Sequence, residues 1–372
     1  MARKLQSDLV LFGTVVVLVV FGLVMVFSAS AVVAQQQYHF SYYFLLRQGI
    51  WAALGIGAMV LMMNFDYRRL GNPRFVFPAL GFQLLLLMAV FLMPRRHDTH
   101  RWFYAGPFSF QPSELAKILL VIFFAYFLNR QRKRVNDFHY TLLPLGLVTC
   151  LTVLLILMEP DLGTSLAVIL IAATMLFASG LRLRYFVMSA AAAIPALYLV
   201  IFHVRYRLNR LLGFLHPQSD PLGKGFQMLQ SLIAVGSGGI LGAGLMEGRQ
   251  KLFFLPEPQT DFIYAVISEE LGFIGAVAVV VLFAVILWRG LRAAAYCSDG
   301  FGRLLAVGIT VLLAGQAMVN ISVVVGLLPT KGIPLPFVSY GGSSLLMNLI
   351  AAGILLNISQ HASGSAVFGG AG

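Results

Sequence analysis

PEPQTDFIYAVISEELGFIGAVAVVVLFAVILW, residues 256–288, carries Asp261, Glu269 and Glu270 at the mouth of, and inside, a run that is otherwise apolar enough to cross a bilayer. An ionisable side chain at the bilayer centre costs at least about 2.5 kcal/mol on insertion scales, so acids in such a run face a bundle interior or a water-filled cavity. The stretch therefore implies a bundle of packed spans. Composition agrees: 59% of the 372 residues are hydrophobic and 11% charged, against roughly 45–50% and 25% in soluble domains. Mean hydropathy is +0.87.

Windows of about 20 apolar residues fall at roughly 9–30, 45–63, 77–93, 112–128, 140–158, 161–180, 185–203, 262–288, 302–325 and 340–359. The expected fold is an all-α polytopic membrane protein with ten transmembrane helices. They form one domain over 1–360, with a large extracytoplasmic loop at 204–261 between helices seven and eight and a flexible tail at 361–372. The first apolar run exceeds the roughly 7–15 residues of a signal-peptide core and reads as a retained span. Cys150 and Cys297 lie on different kinds of segment, so no disulfide framework is implied.

With the N-terminus cytoplasmic, the inner connectors carry Arg3, Lys4, Arg68, Arg69, Arg74, Arg130, Arg132, Lys133, Arg134, Arg182, Arg184, Arg289, Arg292 and Arg303, 14 of the 26 basic residues. That bias fits the positive-inside rule, and ten spans bring the C-terminus back inside. The outer segments nevertheless hold Arg95, Arg96, Arg101, Arg205, Arg207, Arg210, Lys224, Arg249, Lys251 and Lys331, with Arg47 and Lys117 near span ends. Basic residues in three separate outer loops suit an anionic ligand such as a phosphate-bearing lipid head group, or simple contact with lipid phosphates.

Four further stretches hold candidate residues. In HRWFYAGPFSFQPSELAKI, 100–118, Pro112 and Glu114 suit the start of a helix, and Lys117 lies on the face of Glu114. The pair is either a local ion pair or, with Arg101, a phosphate grip. MEPDLGTS, 158–165, sets Glu159 and Asp161 around Pro160. Asp161 suits a helix start, whereas a second carboxylate so close needs a cation nearby. GLLPTKGIPLPFVSYGGSS, 326–344, cannot expose its irregular backbone to lipid and must line a cavity, which Lys331 enters unless it snorkels to the interface. GSGGILGAG, 236–244, lacks the flanking strand of a dinucleotide site and reads as a glycine turn. No nucleotide or metal signature is present and no nucleic-acid partner is expected.

If the eighth span begins at Asp261, Glu269 and Glu270 fall about 80° and 180° around the helix from it and about 12 Å deeper. On access, Asp261 is the catalytic candidate, the alternative being a helix N-cap. The two glutamates are expected to pack within the bundle.

SAS at 28–30, RWFYAGPFSFQPSELAK, EPDLGTS, GSGGILGAG, LPEPQTDFIYAVISEELGFIGA and LPTKGIPLPFVSYGGSS, in this order, resemble the SEDS (FtsW/RodA/SpoVE) family of cell-wall polymerases. The last motif looks more like the division branch, FtsW, than the elongation branch, RodA. The resemblance implies a peptidoglycan glycosyltransferase of the bacterial inner membrane that acts on lipid II. It implies a class B penicillin-binding protein as partner, with other division or elongation proteins. It also maps the family's essential acid, in the TDF motif, onto Asp261. Gln259 stands where many relatives have histidine, which argues against a required histidine there. The chemistry so implied makes Asp261 the general base and places Thr260, Glu114, Glu159 and Asp161 at the substrate, with Arg101, Lys117 and Lys331 as cations for the departing diphosphate. No cofactor is required, although Mg²⁺ or Mn²⁺ held by Glu159 and Asp161 would suit a diphosphate. A flippase for the same lipid is the alternative reading.

Overall fold

The computed structural model describes residues 8–93, 100–105, 108–202, 205–221, 223, 225–252, 254–330 and 332–366. Arg3, Lys4, Arg95, Arg96, Lys224, Lys331 and the last six residues of the expected tail lie outside them. The helices are α1 (Leu9–Tyr38), α2 (Tyr43–Asn64), α3 (Pro73–Ala89), α4 (Pro112–Arg130), α5 (Leu143–Met158), α6 (Leu162–Ala178), α7 (Leu183–Phe202), α8 (Arg205–Leu215) and α9 (Phe226–Ser237). They continue with α10 (Ile263–Tyr296), α11 (Gly300–Thr310), α12 (Gln316–Val324) and α13 (Gly342–Ala366). A short antiparallel hairpin, β1 (Phe103–Ala105) and β2 (Phe108–Phe110), precedes α4. Among the described residues, eight helical stretches are long and apolar enough to span a membrane, one of them being α11 and α12 joined by a π-helical turn at Val311–Gly315. The chain is thus a multi-pass membrane protein. α13 runs to Ala366, into the segment expected to be a flexible tail.

α2 and α13 run parallel, and small residues set their register. Gln48 meets Gly341, Gly55 abuts Leu349, Gly353 abuts Met59, and Asn357 Nδ2 donates to the Met63 carbonyl at 2.7 Å. Each pair is separated by 293 or 294 positions, so the helices keep step over their whole shared length. Gly55 and Gly353 let the two helices approach closely, the usual basis of association where lipid supplies no hydrophobic drive.

α1 serves as a ruler for α10. Asp8 at the start of α1 pairs with Arg289 at 2.7 Å. Ser28, twenty residues and about 30 Å further along, donates to Glu270 Oε2 at 2.6 Å. Between them, Gly22 takes the backbone of Phe337 and Val338, and the adjoining Ser339 Oγ donates to the Thr260 carbonyl at 2.6 Å. Along α1 the contacts therefore come in the order Arg289, Thr260, Glu270. A straight helix would give Arg289, Glu270, Thr260.

The chain reverses at Gly272, whose φ of 64° and ψ of −163° fall in a region only glycine occupies freely. A side chain there would also collide with Gly242 N and Ile240 O. Tyr264 Oη donates to the Ala276 carbonyl at 3.2 Å, whereas a continuous helix would separate the two residues by about 18 Å. α10 is thus a half-helix, 263–271, that climbs away from Asp261, followed by a full span, 273–296, that descends. This corrects the sequence reading of one straight span with the glutamates deeper than Asp261. Asp261 is the deep residue and Glu269 and Glu270 lie nearer the surface opposite the N-terminus.

The half-helix needs caps because its last carbonyls have no intrahelical donors. Ala243 and Gly244 N–H donate to the Glu269 and Glu270 carbonyls at 2.9 and 3.0 Å. Glu269 accepts from Arg249 N at 2.7 Å and Gln250 N at 3.1 Å. Glu270 is fully buried and accepts from Met246 N at 3.0 Å and Lys251 Nζ at 2.6 Å. The two glutamates thereby fasten the loop that leads to Asp261. Removing one partner of a buried ion pair leaves the other uncompensated, so Glu270→Ala is expected to cost about 3–5 kcal/mol. Thermal unfolding in detergent should show a large loss, and the double variant Lys251→Met, Glu270→Leu should recover most of it.

Candidate active site

Asp261 lies in the connector before α10, half-buried, against a lid formed by residues 332–341. It does not cap the half-helix: the N-cap position is Phe262, which makes no side-chain capping bond. Its backbone is pinned. Asn320 of α12 donates through Nδ2 to the Asp261 carbonyl at 2.9 Å and to the Ile333 carbonyl at 2.7 Å. Gly332 flanks the carboxylate so closely that a Cβ there would stand 3.0 Å from Asp261 Oδ2. The main chain on both sides of the carboxylate is thus fixed.

The lid is held from three sides. Gln48 Nε2 donates to the Ser339 carbonyl at 3.0 Å and its Oε1 accepts from Gly341 N at 3.2 Å. Ser339 Oγ, besides donating to the Thr260 carbonyl, accepts from Leu335 N at 2.8 Å, and Tyr340 N donates to the Gln259 carbonyl at 2.8 Å. Gln316 Nε2 donates to the Pro334 carbonyl at 3.0 Å. Phe337, buried at φ 65°, holds a left-handed conformation that non-glycine residues adopt only when their surroundings impose it.

Two of the expected residues, Arg101 and Asp161, form the adjoining wall together with Arg210. Arg101 donates through Nε to the Glu159 carbonyl at 2.9 Å and through Nη2 to the Pro160 carbonyl at 2.5 Å, gripping the turn before α6. Asp161 caps α6, accepting from Thr164 N at 3.0 Å and Thr164 Oγ1 at 2.8 Å, and takes a third bond from Gln111 Nε2 at 3.2 Å. Arg210 of α8 reaches over the lid to the Thr330 carbonyl at 3.2 Å. Desolvation pushes the Asp261 carboxyl up to about 7, with Arg210 opposing, Glu257 and Asp161 adding, and Arg101 opposing. The acid is therefore poised near neutrality, where a proton acceptor works best.

Other expected residues sit differently. Lys117 and Glu114 are both buried and closed on each other at 2.9 Å, and Lys117 Nζ also donates to Gln316 Oε1 at 2.9 Å. The expected phosphate grip by Lys117 gives way to an ion pair that braces α4 against α12. Thr260 is engaged in its own turn, donating through Oγ1 to the Glu257 carbonyl at 3.2 Å. Glu159 is fully buried, and neither carboxyl oxygen has a hydrogen-bond partner among the described residues. Burial and the neighbouring Asp161 push its carboxyl up to about 9 against the pull of Arg101, so it holds its proton at neutral pH. With Asp161 committed to α6, the pair does not fit a divalent cation, and among the described residues no three metal-ligating side chains cluster.

Asn320, Gln316, Gln48, Ser339, Gln111, Gly332 and Arg210 were not singled out in the sequence. Gln316 and Asn320 did leave a signal, two amides four residues apart on one face of an apolar helix. Asn320→Ala is expected to leave two carbonyls without their donor and to cost about 1–3 kcal/mol. A fall in thermal stability with loosened protection of residues 332–341 in hydrogen exchange would be the signature; unchanged protection would refute the clamp.

The chain is 45% identical over 363 residues to a protein of Geobacter sulfurreducens named probable peptidoglycan glycosyltransferase FtsW, covering 97% of each chain. It is 43% identical to stage V sporulation protein E of Bacillus subtilis, over 96% of this chain and 98% of the relative. A solved chain from work on the coordination of polymerization and crosslinking by a peptidoglycan synthase complex superposes with a TM-score of 0.78 at 33% identity, covering 96% of this chain and 99% of that one. The FtsW/RodA/SpoVE cell cycle protein family model matches residues 8–364, and the chain belongs to that family.

Proposed function

We propose that this chain is a peptidoglycan glycosyltransferase that polymerises lipid II. The observation that carries the reading is Asp261: a carboxyl of raised affinity for its proton, pinned by its backbone and set in the field of Arg210 and Arg101. The acceptor's sugar hydroxyl gives its proton to the Asp261 carboxylate as its oxygen bonds to the donor's anomeric carbon. The bond from that carbon to the diphosphate breaks, and undecaprenyl diphosphate leaves. Arg101 and Arg210 offset the charge that develops on the leaving group, with Lys331 as a further candidate. Thr260, Glu114, Lys117, Glu159 and Asp161 act behind them, holding the walls in place.

Ten crossings with both termini cytoplasmic would set this cavity on the outer side of the bacterial inner membrane, where the sugar of a flipped lipid-linked precursor is found. The basic connectors and the placement of Asp8 at the end of the bundle opposite Asp261 support that orientation. A class B penicillin-binding protein is the proposed partner, since the similar solved chain belongs to a complex in which polymerisation is coordinated with crosslinking.

Glycan synthesis from purified lipid II by the full chain, co-purified with its transpeptidase, tests the reading. Asp261→Asn and Asp261→Ala should each lose at least about a thousandfold in rate with unchanged thermal stability and partner binding. Normal polymerisation by Asp261→Asn would end the general-base assignment, and transport of lipid II without polymerisation would favour a flippase. The base works as the carboxylate, so kcat/KM should climb about tenfold per pH unit below about 7 and level off above it. A profile flat from pH 5.5 to 8.5 would place the proton elsewhere.

A further inference from the structure

We infer that the groove between α6 and the α11–α12 segment seats the first isoprene units of the substrate's polyprenyl chain, an inference that rests on the proposed glycosyltransferase reading. The groove encloses about 240 Å³ and is walled by Leu166, Leu170, Val311, Val319, Leu328 and Ile333, with Gln316 as its single polar side chain. An occupant must therefore be apolar along its length, since a polar group there would lose its hydration without a partner.

Three features tie the groove to the candidate active site. Gln316 lines it and is the residue bonded to Lys117 Nζ and to the Pro334 carbonyl. Ile333 lines it and is the neighbour of Gly332, where an added Cβ would stand 3.0 Å from Asp261 Oδ2. From Gln316 the wall runs five residues back to Val311, about 7 Å toward the N-terminal face of the bundle. A molecule with its head at Asp261 and a hydrocarbon tail directed into the bilayer follows this line.

The backbone keeps the groove open. Val311–Gly315 is a π-helical turn within an otherwise α-helical span, a local widening frequently found at functional sites. Gly315 lies at its end, where a Cβ would come within 3.3 Å of Leu170 Cδ2 and 3.5 Å of Val311 Cγ1. Leu170 and Leu328 are 38% and 40% exposed, so the groove has a lipid-facing rim by which a chain can enter sideways. A branched polyprenyl chain suits this short, wide, apolar slot next to a phosphate-handling site, and a phospholipid acyl chain is the competing occupant.

Two measurements on the full chain with its transpeptidase decide the matter. The first compares lipid II carrying the full undecaprenyl chain with a truncated substrate in which a methyl group replaces every isoprene unit, for the wild type, Ala167→Trp and Leu170→Trp, all with matched thermal stability. Filling the slot should raise KM for the full-length substrate about tenfold, from lost burial of apolar carbons, and leave kcat and the truncated substrate unchanged. An equal rise for both substrates, or no rise, overturns the inference. The second labels the protein with a photoreactive polyprenyl diphosphate that carries no sugar and so needs no turnover. Labels at Leu166, Val311 or Val319 that unlabelled undecaprenyl diphosphate competes away and that Ala167→Trp abolishes support the groove, even if the wild type polymerises nothing and the glycosyltransferase reading falls. Labels elsewhere, or competition by phospholipid alone, refute it.

Discussion

The reversal at Gly272 is the constraint on which the rest of the structure depends. A membrane helix satisfies its backbone internally, and a chain that stops and turns within the bundle leaves carbonyls that only protein can satisfy. Here the Gly238–Gly244 turn supplies the donors, and it fits only because Gly238 and Gly242 lack side chains where they press on the Ser268 and Glu270 carbonyls. The two buried glutamates then fix the following loop, and that loop ends at Asp261. Irregular backbone, acids and glycines, each costly alone in a membrane, offset one another's unpaired groups.

The same economy governs the cavity. Asn320, Gln316, Gln48 and Ser339 spend their hydrogen bonds on the carbonyls and amides of the Thr260–Asp261 and 333–341 segments. Neutral amides and hydroxyls serve here because burying them costs far less than burying charges. The charges that act on Asp261 are those of Arg210, Glu257, Asp161 and Arg101, while Glu114 and Lys117 are closed on each other. Partial desolvation then brings a carboxylic acid to the pH of its surroundings without a histidine.

Much of this was legible in the chain. Eight of the ten apolar windows fall on helical stretches long and apolar enough to span a membrane among the described residues, and the backbone of the proline-rich stretch after residue 326 is bonded within the protein, because both inferences rest on the cost of unpaired backbone in lipid. The depth order of Asp261, Glu269 and Glu270 was not legible. Helical periodicity assumes that a helix continues, and a single glycine with positive φ reverses the sense of depth while leaving the pattern of apolar residues untouched. Lys117 was misplaced for a related reason: its spacing from Glu114 allowed both a closed pair and an open grip, and the third partner that decides between them, Gln316, is 199 positions away. Arg210 could not be assigned because nothing local says where an amphipathic helix in a long connector will lie.

The parallel pairing of α2 with α13 has a consequence for biogenesis. The offset of about 294 positions means that the lid against Asp261 is clamped by Gln48, near the start of the chain, through residues that emerge near its end. Synthesis proceeds from the N-terminus at about 5–20 residues per second, so α2 waits in the bilayer with its small-residue face unmatched while most of the chain is made. Until α13 inserts, the Gln48 clamp on Ser339 and Gly341 lacks the α2–α13 register that holds it. The backbone that flanks Asp261 is therefore among the last parts of the chain to be held in place, whatever the state of the helices that precede it.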